Sequence, residues 1–467
     1  MGRTSKSGTG TVFACQQCGK ESLKWLGRCP NCRQWNTFVE TKSAVTVASA
    51  LVSPLNPPQE LSRIVTSARD RFPLPLAEFN RVLGGGVVSG SLTLIGGDPG
   101  IGKSTLLLQA AALVAREQGS VVYVSGEETP HQIKLRSERL GVKGDNLYLL
   151  AETDLEAILN QIDELSPNLV VVDSIQTVCL SELEAAPGSI TQVRECTLRL
   201  MRWAKQSTVP VFVAGHVTKD GAIAGPRVLE HIVDVVLYLE GEPFSAYRLL
   251  RCVKNRFGST NEVGIFEMKS EGLLEVADPS QVFLSRRLSQ RVGSVVVPTI
   301  EGSRPLLVEI QALTNPTSFG LPRRTANGVD FGRLLLIAAV LSRRVGLRLG
   351  NQDIIANVTG GLKVGEPSAD LGVALAIASS YRDVEVAPGL VAVGEVGLSG
   401  ELRAVSQLER RVGEAARLGF ERCLVPETGR RVSAKNKDIE LVPAATLKEA
   451  LGLGLARSRT KGKSSED

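Results

Sequence analysis

The segment from Gly97 to Ser104 reads Gly-Asp-Pro-Gly-Ile-Gly-Lys-Ser and restricts the fold of this chain more than any other feature of it. It has the spacing of a phosphate-binding loop, two glycines flanking a short stretch and then Lys-Ser. A short apolar run with strand character, Leu92-Thr93-Leu94-Ile95, precedes it, and an apolar stretch with helical character, Leu106–Val114, follows. Strand, glycine loop and helix in that order wrap successive backbone N–H groups around a polyphosphate, and a helix opening at about Lys103 turns its positive dipole end to the same anion. The candidate ATP and Mg2+ site is therefore Gly97, Asp98, Pro99, Gly100, Ile101, Gly102, Lys103, Ser104 and Thr105. Lys103 is expected to reach the β- and γ-phosphates, and Ser104 to offer its hydroxyl to Mg2+.

Downstream, β-branched runs alternate with helical patterns: Val121–Val124, Leu169–Val172, Val211–Ala214 and Val235–Leu239 are the strand candidates. Such alternation predicts an α/β fold around a mainly parallel sheet. The run Leu169–Val172 ends in Asp173, where a carboxylate at a strand terminus can hold Mg2+ through water opposite Ser104. Val121–Val124 ends in Ser125-Gly126-Glu127-Glu128. A carboxylate there can orient water for attack on the γ-phosphate, with Glu127 the first choice and Glu128 the alternative.

At 467 residues the chain exceeds what one hydrophobic core serves, so about two or three domains are expected. Lysine and arginine number 54 against 49 acids, and the net charge of +5 is too mild to argue for nucleic acid by itself. No apolar run approaches the roughly 18 residues of a membrane span, and the N-terminal Met1-Gly2-Arg3-Thr4-Ser5 lacks the apolar core of a signal peptide. These features predict a cytoplasmic protein with no membrane partner.

Four of the cysteines form a tight group, Cys15-x-x-Cys18 and Cys29-x-x-Cys32. Two such pairs place soft thiolates on two knuckle-like turns, as tetrahedral Zn2+ requires. The module, residues 1–40, is too short to fold on its own buried surface, so the metal is expected to supply much of its folding energy. Phe13, Trp25, Trp35 and Phe38 are expected to make its small core, although an exposed tryptophan could instead stack on a base. Residues 41–70, with Pro54, Pro57 and Pro58, read as a linker.

Arg81-Val82-Leu83-Gly84-Gly85-Gly86, the phosphate loop, Glu127 and Asp173 together resemble the RecA/DnaB class of P-loop ATPases. Lys254-Asn255-Arg256-Phe257-Gly258 and Gly215-His216-Val217-Thr218-Lys219-Asp220-Gly221 resemble, within that class, the RadA (Sms) family of bacterial recombination proteins. The resemblance implies a RecA-like ATPase domain over residues 71–280 and a Lon-protease-like α+β domain over 285–456. It also implies a homo-hexameric, DNA-dependent ATPase that acts on single-stranded and branched DNA, promotes branch migration in recombination and repair, and works with a RecA-type recombinase. Lys254 and Arg256 then match the cationic fingers that such motors insert into a neighbouring subunit's ATP site. His216 matches a polar residue that senses the γ-phosphate, although a satisfied core histidine is the competing reading. Residues Thr218–Arg227 form a basic, glycine-rich loop in which Lys219 and Arg227 are the candidate contacts to DNA.

In the last module, Gly365-Glu366-Pro367-Ser368-Ala369-Asp370 resembles the segment that carries the Lon nucleophile, with Ser368 in the serine's place. The position of the partner lysine falls on Glu409, and the neighbouring Arg410 and Arg411 cannot serve as a base, because guanidinium stays protonated. A scaffold without peptidase activity is therefore expected. The polar residues Arg457–Asp467 read as a disordered tail.

Overall fold

The computed structural model describes residues 11–18, 20–22, 24–42, 59–63, 71–216, 228–241, 245–284, 291–317, 320–427 and 439–456. The Thr218–Arg227 loop with Lys219 and Arg227, most of the 41–70 segment and the 457–467 tail lie outside them. The chain divides into two compact units, Met1–Gly241 with Arg248–Glu275, and Glu242–Tyr247 with Val276–Asp467.

In the first unit, nine described strands form one sheet, in the order Gly272–Glu275, Val263–Lys269, Tyr247–Asn255, Val235–Glu240, Leu92–Gly97, Val211–His216, Leu169–Asp173, Val121–Ser125, Leu147–Leu150. The strands from Val235–Glu240 to Leu147–Leu150 run parallel, as helical crossovers demand. Tyr247–Asn255 turns back antiparallel beside Val235–Glu240. Because helices cover both faces, the central strands are apolar on both, which is why they read as continuous runs and not as alternations. Leu92, Leu94, Val122, Val124, Val170, Val172, Val211 and Val213 point into one core. Tyr123, Val171, Phe212 and Ala214 point into the other, against Leu106, Leu107 and Leu108 of the helix Lys103–Gln118. Each such side chain contributes about 1.5–3 kcal/mol by leaving water. The rings of Phe79 and Phe212 stack with centroids 5.7 Å apart.

The cysteine module pairs Thr11–Cys15 with Glu21–Ser22 and with Phe38–Lys42, all antiparallel. Its core corrects the expectation for the tryptophans: Phe38, Cys15 and Cys29 are buried, with Phe13, Leu26, Cys18 and Cys32 against them, whereas Trp25 is 53% and Trp35 68% exposed. Three short strands enclose too little interior to hold two indoles as well.

The second unit holds a seven-stranded described sheet, in the order Arg324–Asn327, Gln352–Val358, Arg304–Pro316, Ser294–Glu301, Leu390–Ala392, Arg422–Pro426, Glu440–Ala444. The helix Asp370–Arg382 packs on it, buried from Asp370 to Ser379. Among the described residues, no helix is long and apolar enough to cross a membrane.

Candidate nucleotide and metal sites

The glycine loop leaves the C-terminal end of Leu92–Gly97, with Gly97 level with His216 on one side and Leu239 on the other. Gly97 has φ +154, and a β-carbon on it would lie 2.5 Å from the Leu239 carbonyl oxygen, so only glycine lets the chain turn there. Asp98, Pro99 and Gly100 are exposed, and space beside Gly100 is open, as a cradle for an anion requires. The helix Lys103–Gln118 starts behind Gly102, which is left-handed, and presents its free N–H groups to the loop.

Lys103 is buried, and its Nζ donates to the carbonyls of Gly97 at 2.9 Å and Asp98 at 3.0 Å. Burial pushes its pKa down, while the carboxylates of Asp173, Asp98 and Glu127 oppose that shift. The ammonium thus lies within the field of both predicted acids. Asp173 ends its strand level with Ser125 and follows four buried residues, Leu169 to Val172. Glu127 accepts a hydrogen bond from Ser174 Oγ at 2.7 Å and lies 3.6 Å from His216 Nε2. Glu128, by contrast, forms an ion pair with Arg136 at 2.7 Å. Of the two, Glu127 is the one drawn to the strand ends beside the loop. His216 Nδ1 is buried without a hydrogen-bond partner, an orphaned polar atom at the strand terminus next to Gly97.

Sequence reasoning missed Tyr123. Its hydroxyl donates to Asp173 Oδ2 at 2.5 Å, and Arg136 Nη2 donates to the same hydroxyl at 3.5 Å. Burial, with the Asp173 charge beside it, drives the phenol well above its ordinary pKa, so it stays a donor. The signal was a tyrosine inside an otherwise apolar strand, because a buried phenol needs a buried acceptor.

Lys254 and Arg256 sit elsewhere. The Tyr247–Asn255 strand runs against its neighbour, so Lys254 pairs with Val236, which in turn pairs with Leu94, midway along the central strand and short of Gly97. Lys254 Nζ donates to the carbonyls of Glu230, Val233 and His231 at 2.6, 2.9 and 3.5 Å. Burial pushes its pKa down, and Arg256 adds to the shift. Arg256 is half exposed and pairs with buried Asp234 at 3.3 Å. Asn255, Phe257 and Gly258 build the turn: Asn255 Nδ2 donates to Leu83 O at 3.2 Å, and Arg71 Nη2 to Phe257 O at 2.8 Å. Arg71 Nη1 donates to Gly84 O, so the turn is fastened to the Gly84-Gly85-Gly86 turn.

The four cysteine sulfurs lie within 4.8 Å of one another, Cys15–Cys32 at 3.6 Å and Cys18–Cys29 at 3.4 Å. Four thiolates at about 2.3 Å from a tetrahedral ion would stand roughly 3.8 Å apart, so the donor set fits Zn2+.

In the second unit the geometry corrects the assignment at Ser368. Exposed Glu409 takes no part; fully buried Arg411 donates to Ser368 Oγ at 3.0 Å and to both oxygens of Glu366 at 2.7 Å. Helical spacing explains the shift: Arg411 lies two residues further along Leu408–Arg417 and so faces inward. A guanidinium against the hydroxyl cannot remove its proton.

A glycine loop between a parallel strand and a helix, with acids at the adjoining strand ends and a four-cysteine ribbon, defines a P-loop ATPase of RecA-like fold. Family models agree: an AAA domain matches residues 56–222, a rubredoxin metal binding domain residues 13–40, and subunit ChlI of Mg-chelatase residues 326–429. The chain is 53% identical to the DNA repair protein RadA of Bacillus subtilis, over 96% of this chain and 99% of that one. It is likewise 53% identical to that of Halalkalibacterium halodurans over 96% and 99%, and to that of Listeria monocytogenes over 94% and 97%. The chain belongs to the RadA family. Its cofactors are ATP with Mg2+ at the loop and Zn2+ at the cysteines. A KaiC-like protein from Pyrococcus horikoshii is 20% identical, covering 44% of this chain and 98% of that one at a TM-score of 0.37.

Proposed function

We propose that this protein is a cytoplasmic, DNA-dependent ATPase that works as a homo-hexameric ring on single-stranded and branched DNA. In this reading it promotes branch migration of recombination intermediates and acts with a RecA-type recombinase, and its relatives' name, DNA repair protein RadA, supports the role in repair. Gly97–Thr105 hold the phosphates, with Lys103 released from its own loop carbonyls onto the β- and γ-phosphates. Ser104 and Asp173 hold Mg2+, Glu127 orients the attacking water, and His216 reads the γ-phosphate. Lys219 and Arg227 contact the DNA backbone.

The observation that carries the ring is the distance of Arg256 from its own loop. Arg256 N donates to Asp234 O, and Asp234 N donates to Leu92 O, so Arg256 lies level with the start of the central strand. At about 3.3 Å per residue, that strand puts the loop roughly 16 Å further along, beyond the reach of an arginine side chain. Any action of Arg256 on a nucleotide is therefore on a neighbour's. Lys254, held by three carbonyls of its own chain, must first be released, so Arg256 is the readier finger.

The test is ATP turnover with and without single-stranded and branched DNA, alongside particle mass in solution. DNA-stimulated turnover by a hexamer is expected. A monomer with turnover indifferent to DNA would refute the proposal.

A further inference from the structure

We propose that Trp25, Trp35 and Arg28 form a platform on the zinc module that stacks on unpaired bases of single-stranded DNA. Both indoles stand outside the module's small core, 53% and 68% exposed, as free aromatic surface. They also converge. The point a β-carbon on Gly27 would occupy lies 3.7 Å from Trp25 Cη2 and 4.0 Å from Trp35 Cζ3. Glycine there leaves one open spot bordered by both rings.

The rings are held in advance. Trp25 Nε1 donates to Phe38 O at 3.1 Å, and the Arg28 guanidinium lies 5.6 Å from the Trp35 ring centroid while its Nε donates to Arg33 O at 2.9 Å. Rigid aromatic surface beside a planar cation loses little entropy on binding and offers π-faces that any base can share.

Charge selects the occupant. Lys20, Lys24, Arg28 and Arg33 of this module are all exposed, with Arg28 over the Trp35 ring, and between Lys20 and Asn36 the sequence holds no acid but Glu21. Aromatic faces in so cationic a segment suit a polyanion with accessible bases. A duplex keeps its bases stacked within; a single strand exposes them. The site rests on the reading of the protein as a DNA-binding ATPase and adds a contact point outside the ATPase domain.

The experiment uses the full chain, Zn2+ loaded, with an end-labelled oligothymidylate. Binding is followed by anisotropy and by intrinsic tryptophan fluorescence. The third tryptophan, Trp203, is buried and donates to Asp163 Oδ1 at 2.6 Å, so quenching reports on the two exposed rings. Stacking is expected to quench the wild type. The double variant Trp25→Leu with Trp35→Leu should lose the quench and bind roughly ten- to a hundredfold more weakly, with an unchanged salt slope, because phosphate contacts are untouched. Zinc content verifies that the module is intact. Should the double variant lose zinc, Trp35→Leu alone, which keeps the Trp25–Phe38 hydrogen bond, carries the test with several-fold weaker binding and a diminished quench. Undiminished affinity in a zinc-loaded variant would overturn the platform, leave the DNA reading standing and point the rings at a protein partner. Wild-type protein that binds no oligonucleotide would sink both.

Discussion

Arg256→Ala offers the sharpest test of action between subunits. The residue is half exposed, and its 3.3 Å ion pair with Asp234 contributes no more than about 1 kcal/mol in such a setting. Asp234 keeps Lys205 Nζ at 3.3 Å and Leu92 N at 3.2 Å, so the variant should fold and bind ATP as the parent does. Removing an arginine finger costs about a thousandfold or more in turnover. Lys103→Ala should be equally inactive, for loss of the phosphate contact. The two dead proteins differ in which half of a site they lack, and that makes mixing informative. In rings assembled from equal amounts, about a quarter of the sites join a subunit that keeps Lys103 to a neighbour that keeps Arg256. Phosphate release should therefore return to roughly a quarter of the parental rate after the two are dissociated and reassembled together. Reassembled mixtures of unchanged mass that stay inactive would refute action in trans, since a finger serving its own loop gives no active combination.

Three further outcomes are expected. Tyr123→Phe removes a charge-assisted hydrogen bond of 2.5 Å to Asp173, of a kind that contributes about 1.5–3 kcal/mol. Turnover should fall roughly ten- to a hundredfold with a raised Mg2+ requirement and little change in KM for ATP; an unaltered Mg2+ titration would count against Tyr123 as a positioning residue. Arg411→Ala removes a fully buried guanidinium, leaves partly buried Glu366 without its partner and should destabilise the second unit by about 3–5 kcal/mol in thermal or denaturant unfolding. Burial alone would raise the Glu366 carboxyl, but Arg411 and Thr299 hold it below the usual carboxylate range. Its contribution is therefore complete above the unfolded pKa of about 4.3 and is lost as pH falls below that, a loss that should disappear in Arg411→Ala. Stripping Zn2+ with a chelator should unfold residues 11–42 and shift the emission of Trp25 and Trp35 while ATP binding persists. Emission unchanged after verified metal loss would show that the cysteines are not needed for the module's fold.

The α/β class was legible because the central strands of the first unit are apolar on both faces and end in residues whose chemistry suits a phosphate. The antiparallel extension past Tyr247 was less so: its strands alternate irregularly and carry exposed charges. Leu147–Leu150 escaped notice as a short, half-buried edge strand. The tryptophans misled because hydrophobicity predicts burial only where there is an interior to enter. Tyr123 and Arg411 were illegible for a different reason. Their roles depend on partners 50 and 43 residues away, Asp173 and Ser368, and a linear spacing does not encode which buried donor meets which acceptor.

The Gly84 and Gly258 turns lie far apart in the chain and touch in the fold. A β-carbon on Gly258 would stand 3.5 Å from Gly84 Cα and 3.2 Å from Asn255 Nδ2, and one on Gly84, at φ +77, would stand 3.5 Å from Gly258 Cα. A β-carbon at either position would thus rest in ordinary contact with the other turn, and the tighter approach is to the Asn255 side chain. The two stretches thus share one surface, and in related chains substitutions at one are expected to track those at the other. A search that demands both, with Arg71 as the clasp, asks for a single interlocked signature where two separate motifs are written.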